Sequence, residues 1–201
     1  IKVHFIDWFI LGFIIILLFF GTYQRNSLWS NYIDFWKDCI RKSPRKERVY
    51  HNLGFAYLQL EQLDDAKKWF EVALKLNPRY ALSMFNLGLV YYRKGLIDEA
   101  IHCYKRAIEL DPNVSESFYN IGIAYYQKGL YENAIEAYRK FLEAKPDYEN
   151  ANVNIGLAYY KLKQFDKAIQ SFQKELKYHP DNFYAYGYLG FTYMELEDDP
   201  K

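Results

Sequence analysis

Four asparagines, Asn52, Asn86, Asn120 and Asn154, stand 34 residues apart along the chain. A carboxamide donates and accepts at once, so a row of them in register could hydrogen-bond the backbone of an extended peptide whatever its side chains. Rings keep the same spacing: Phe85 and Tyr119 share one place of the period, and Tyr92, Tyr126 and Tyr160 share another. Such rings can anchor a partner's side chain. Both sets also have a plainer use, the asparagines bridging neighbouring helices and the rings filling space between repeats, and the residues alone leave the two uses open. Covalent chemistry is another matter. The sequence holds no HExxH, no CxxC pair, no GxSxG and no phosphate loop, and His4, His51, His102 and His179 fall at unrelated places. Neither a metal site nor a nucleophile with its base can be assembled from such spacings, so we expect no catalytic residue, no metal and no cofactor.

The elements that position the asparagines are written in the same period. Gly54, Gly88, Gly122, Gly156 and Gly190 are 34 residues apart, each preceded by leucine or isoleucine and followed three places on by Tyr57, Tyr91, Tyr125, Tyr159 or Tyr193. Alanine, an aromatic four later and a closing proline complete each unit, as Ala66/Phe70/Pro78, Ala100/Tyr104/Pro112, Ala134/Tyr138/Pro146 and Ala168/Phe172/Pro180. Within 81–94 the set Met84, Leu87, Gly88, Tyr91 follows the spacing of one helix face, and within 98–110 Ala100, Ile101, Tyr104, Ala107, Ile108 does the same. Two short antiparallel helices per unit follow. Gly95 and Gly129 suit the end of the first helix, and the residue before each proline ends the second. Small residues inside helices point to close helix approach, and a single hairpin cannot bury its apolar face without a neighbour.

These residues resemble the tetratricopeptide repeat family over 47–193, without insertion. The resemblance implies an all-α, right-handed α-solenoid whose first helices line a concave groove, and whose work is protein–protein interaction. Asn152 departs from it, being polar where Tyr50, Met84, Phe118 and Tyr186 are large and apolar, which should weaken one helix contact. The asparagine row is similar to the ladder of O-linked N-acetylglucosamine transferase, which holds substrate chains. A charged-terminus clamp of the chaperone-binding kind is not expected, since the matching places hold Phe55, His51, Leu82 and Leu89.

Ahead of the repeats, Trp8 to Gly21 carries no charge, and Val3 to Tyr23 supplies about the 20 residues that a bilayer core requires. We expect a transmembrane helix over 3–23, with Trp8 and Tyr23 near the interfaces and Asp7 and Arg25 at the flanks. The rival, a signal peptide, has no small-residue cleavage site after the apolar run. A solenoid has no globular centre to hold the segment as a core helix. Both ends look cut, the chain opening on Ile1 and stopping at Lys201 after one helix of a fifth unit.

The expected organisation is 1–24, membrane helix and flanks; 25–46, a juxtamembrane half repeat; four full repeats at 47–80, 81–114, 115–148 and 149–182; and 183–201, the first helix of a fifth. The half repeat is read from Pro44 and Trp36, one period before Pro78 and Phe70, which makes 27–43 a second helix abutting the membrane helix. Arg25-Asn26-x-x-Trp29 between a membrane helix and a repeat array is similar to multi-pass glycosyltransferases of the protein O-mannosyltransferase type. That resemblance implies a substrate-presenting arm whose catalytic part lies outside the chain, and carries no catalytic residue onto it.

Charge excludes one partner class. The 26 basic and 25 acidic residues nearly cancel to +1, whereas nucleic acid asks for a basic stripe, so none is expected. Arg41, Lys42, Arg45, Lys46 and Arg48 form a local basic run that either meets anionic head groups or is a solvated helix end. Cys39 and Cys103 belong to different hairpins and are read as packed apolar residues rather than a bridge. The expected product is a membrane-anchored scaffold with its repeats in water. Its sidedness stays open, because the basic run and the glycosyltransferase resemblance point opposite ways.

Overall fold

A computed structural model describes residues 5–198, with side chains described over 13–23 and 31–196. All regular structure among the described residues is helical: α1 (Phe5–Lys42), α2 (Glu47–Gln59), α3 (Leu63–Leu76), α4 (Ala81–Arg93), α5 (Ile97–Leu110), α6 (Glu116–Gln127), α7 (Tyr131–Ala144), α8 (Ala151–Lys161), α9 (Phe165–Tyr178) and α10 (Phe183–Asp198). The chain forms two compact units, 1–83 and 84–201, divided within α4. In the first, α2 packs on both α1 and α3. In the second, each helix from α5 to α10 packs on its neighbour in sequence, and α10 also meets α8.

The turn inside each hairpin follows one pattern. Gly95 donates to Tyr92 O and Leu96 to Tyr91 O, closing α4 with the paired bonds of a Schellman ending; Gly129 and Leu130 do the same for α6, Glu61 and Gln62 for α2, and Lys163 and Gln164 for α8. The residue at the bend is left-handed in all four, at φ 58, 77, 75 and 57° for Glu61, Gly95, Gly129 and Lys163. Two repeats thus hold a side chain where glycine is the natural choice, at a steric cost of about 1 kcal/mol each. At the other end of each hairpin Asn77, Asp111, Lys145 and His179 leave the helix ahead of proline, with φ between −128 and −149°.

The repeated glycine is a contact. A Cβ at Gly54 would stand 2.9 Å from Phe70, at Gly88 2.6 Å from Tyr104, at Gly122 2.5 Å from Tyr138 and at Gly156 2.4 Å from Phe172. Each ring comes from the second helix of the same hairpin, and Ala66, Ala100, Ala134 and Ala168 beside them are fully buried. Gly190 of α10 has nothing within 4 Å, and α10 shows solvent Phe183, Tyr184, Tyr186, Phe191 and Met194.

Two expectations concern the N-terminal side. The helix expected at 27–43 is present as the last part of α1, which runs unbroken from the apolar segment because no proline or glycine stands between Gly21 and Ser43. Trp36 does face a hairpin, packing with Ile40 against the cluster of Ile33, Leu53 and Ala56. The expected membrane helix is described only in part: Val3 and His4, and the side chains of 5–12, lie outside the described residues. No helix among the described residues is long and apolar enough to cross a membrane. Within the described part, Phe13 to Phe20 are all exposed, by 46 to 76%. Cys39 and Cys103 are free thiols.

The glycine contact makes a direct prediction. Gly122→Leu forces a branched side chain into the Tyr138 ring and should lower the stability of the chain by about 2–3 kcal/mol. Urea unfolding of the variant measures this, and a wild-type midpoint would show that the two helices are not in contact there.

Candidate functional site

The first helix of each hairpin carries the residues that the sequence marks for binding. Its glycine and tyrosine turn towards the second helix, so the asparagine, two places before the glycine, sits on a neighbouring stripe of the surface. Asn52 in α2 is half-buried, as are Asn120 in α6 and Asn154 in α8, while Asn86 in α4 is 8% exposed. Two of these carboxamides already spend one hydrogen. Asn120 Nδ2 donates to Glu116 O one turn back in its own helix, 3.0 Å away. Asn154 Nδ2 donates to Tyr119 Oη, 2.9 Å away, tying one repeat to the next. Each carboxamide has a second hydrogen and an oxygen besides, so bridging and binding are compatible here.

The rings pack more than they protrude. Phe85 is tilted against Tyr104 at 5.8 Å, and Tyr119 meets Tyr138, Phe141 and Tyr148 at 5.0 to 5.6 Å. Tyr126 meets Tyr131 edge-on at 5.3 Å and Tyr160 meets Phe165 at 5.6 Å. Burial pushes the Tyr119 and Tyr126 hydroxyls above the ordinary phenol range, so both are neutral donors at physiological pH. Phe85, Tyr119, Tyr92, Tyr126 and Tyr160 all remain half-buried, each with an edge towards solvent. Tyr119 and Asn154 are brought into contact; the others occupy equivalent places in successive repeats.

Two polar arrangements escape a reading of the sequence alone. Glu175 of α9 is fully buried and accepts from the backbone N–H of Asn150 at 2.7 Å and of Asn152 at 3.2 Å, with Asn182 Nδ2 at 3.3 Å. It therefore caps the N-terminus of α8 from another helix, where the helix's own N-cap makes no side-chain bond. The signal was an acid where the other repeats hold Ala73, Ala107 and Phe141. The second is His51, at the place of Phe85 and Tyr119, which is buried with Nδ1 2.9 Å from Ser83 Oγ. Burial, with Arg48 adding repulsion, holds its pKa down to about 4. One repeat on, Ser117 Oγ is buried with no hydrogen-bond partner among the described residues, so this place also accepts an aromatic without a polar link. No group of His, Cys, Asp and Glu among the described residues could hold a metal ion. Burial raises the Cys103 thiol to about 11, which keeps it protonated at neutral pH.

Comparison with known proteins agrees with this geometry. Models of the tetratricopeptide repeat match residues 47–113, 85–149 and 156–196. A crystal structure of MamA is 27% identical, with 76% of this chain and 89% of that one covered at a TM-score of 0.71. MamA from Desulfovibrio magneticus RS-1, residues 41 to the end, is 20% identical over 76% of this chain and 86% of its own, at 0.70. YrrB, described as a tetratricopeptide protein with an unusual peptide-binding site, is 22% identical over 80% and 83%, at 0.68. A search of curated proteins by sequence finds no match. The chain carries tetratricopeptide repeats and is an all-helical solenoid of that type, a fold suited to holding proteins or peptides.

His51 gives this region a pH signature. Its folded pKa lies below the unfolded value of about 6.5, so below that pH the unfolded chain takes up a proton that the folded chain refuses, and stability falls as pH drops towards 4. Between pH 7 and pH 5 the loss from this residue should be about 2 kcal/mol. In His51→Phe that part of the slope should vanish. Parallel melting curves at the two pH values check this, and an unchanged slope in the variant would assign the pH dependence elsewhere.

Proposed function

We propose that this chain is a scaffold that holds an extended segment of a partner protein along the first helices of 84–201, with Asn86, Asn120 and Asn154 bonding the segment's backbone and Phe85, Tyr119, Tyr92, Tyr126 and Tyr160 receiving its side chains; Asn52 offers the same carboxamide in 1–83. The observation that carries the reading is the carboxamide row: four asparagines at one place of the period, at least two of which have one hydrogen committed and a donor and an acceptor left. A backbone bonded at this repeat distance is read without regard to sequence, and specificity then falls to the rings. YrrB, by its description, has a peptide-binding site on the same fold. The residues behind the glycosyltransferase resemblance, Arg25, Asn26 and Trp29, have side chains outside the described region, and no observation favours that alternative.

Partner segments identified by crosslinking in native membranes supply the probe. Each lost hydrogen bond is worth on the order of 1 kcal/mol, so Asn86→Ala with Asn120→Ala should weaken a labelled partner peptide roughly 30-fold. Unchanged affinity at an unchanged melting temperature would reduce the asparagines to structural bridges.

The proposal extends to the apolar segment. What supports it is the uncharged sequence run from Trp8 to Gly21 within 3–23, together with the exposure of the apolar side chains Phe13 to Phe20, a surface suited to lipid. The full chain mixed with phosphatidylcholine vesicles should float with them and resist alkaline extraction; protein left at the bottom of the gradient would remove the membrane from the account.

A further inference from the structure

The second helices carry a different surface. Between α5 and α7 lies a cleft of about 420 Å³ floored by Phe118, Ile121 and Tyr125 of α6, and between α7 and α9 one of about 670 Å³ floored by Asn152, Ile155 and Tyr159 of α8. They are the same place one repeat apart, and their walls can be compared side chain by side chain.

In the first cleft the charges cancel internally. Its wall carries Lys105 and Lys140 against Glu109 and Glu136: Lys140 Nζ donates to Glu136 Oε1 at 2.7 Å, Lys105 lies 5.7 Å from the centre of the Tyr125 ring, and Glu109 is also paired with Arg106 outside the cleft at 2.8 Å. In the second, the place of Glu136 is taken by Gln170, so Lys174 loses the carboxylate one turn before it, and the place of Asn133 is taken by Lys167. Arg139 Nη2 donates to the neutral Tyr159 Oη at 2.7 Å. Lys167 Nζ lies 5.5 Å from the centre of the same ring and donates to the neutral Gln164 Oε1 at 2.9 Å. Arg139 and Lys167 therefore meet at one tyrosine, Lys174 lines the same cleft, and a single wall carboxylate, Glu143, stands against the three. The floor differs too: where Phe118 fills the first cleft with a ring, Asn152 is smaller and polar, which widens the second and puts a carboxamide at its base.

We propose that this α7–α9 cleft is a docking site for an acidic peptide segment, whose carboxylates take Arg139, Lys167 and Lys174 while its backbone or a second carboxylate meets Asn152. Three wall cations against one carboxylate, two of them bonded to neutral atoms, make a site whose natural complement is anionic, and charge-assisted bonds are the strong ones. Arg139 and Lys167 both bear on Tyr159 at the floor of the cleft, a recess that a side chain on a flexible peptide can follow. The site is walled by the second helices α7 and α9 over a floor from α8, and uses none of the row's asparagines.

A fluorescein-labelled glutamate–alanine peptide, titrated with the full chain and followed by anisotropy, tests this. The wild type should bind it, with affinity falling as salt rises. Gln170→Glu, which gives Lys174 the internal partner that Lys140 has, and Lys167→Asn, which copies the first cleft, should each weaken binding about tenfold. Glu136→Gln with Asn133→Lys should open a second site and raise the stoichiometry to two. Asn86→Ala with Asn120→Ala should leave the salt-dependent excess of this binding over that of a glutamine–alanine peptide unchanged, which separates the two surfaces. Absence of binding, equal binding of a lysine–alanine peptide, or wild-type affinity in both Gln170→Glu and Lys167→Asn would overturn the proposal. Phosphatidylserine vesicles binding through these cations, without the peptide, would overturn it in favour of a lipid surface.

Discussion

An aromatic ring lying on a glycine holds each hairpin of this chain closed. Phe70, Tyr104, Tyr138 and Phe172 come from the second helix and rest where the first helix has no Cβ, so close that any side chain there would overlap them. The contact sets the separation of the two helices and their register along each other. Glycine costs helix stability, about 1 kcal/mol relative to alanine, and the repeat retains it four times over because the ring needs the space. With the hairpin fixed, the asparagine two places before the glycine is carried to the same place in every unit. The proposed binding row is thus a consequence of a packing contact on the adjacent stripe.

Once hairpins repeat, variation at one place becomes legible as a local change of chemistry against a constant frame. His51 with Ser83 is a polar version of a place that two other repeats fill with Phe85 and Tyr119. Gln170 and Lys167 turn a self-neutralised cleft into one with surplus positive charge. Glu175 replaces an apolar residue and caps a helix whose N-terminus is otherwise uncapped. None of these disturbs the ring-on-glycine contact, which is why they are tolerated.

The hairpins were open to a reading of the sequence because their determinants are local: the glycine, the tyrosine three places on, the alanine, and the residue before proline each act within a few positions. The period then multiplies a weak signal by four. The left-handed bend at Glu61 and Lys163 was hidden, since neither residue type announces it, although Gly95 and Gly129 mark the same place. Glu175 was hidden for a deeper reason, that its partners Asn150 and Asn152 lie more than twenty residues away and are backbone groups with no sequence signature. The asparagines were found, but their first hydrogen bonds, to Glu116 O and Tyr119 Oη, depend on side-chain geometry that spacing does not fix. The continuity of α1 was hidden as well, because a register places Trp36 against the next hairpin but does not say where its helix begins.

The most direct test of the ring-on-glycine account is a double-mutant cycle between Gly156 and Phe172, read by urea unfolding. Gly156→Ala should destabilise the wild-type chain by overlap with the ring, yet be neutral or stabilising beside Phe172→Leu, where alanine's helix propensity is free to act. Strictly additive effects of the two substitutions would contradict the account, because the glycine would then be serving something other than that ring.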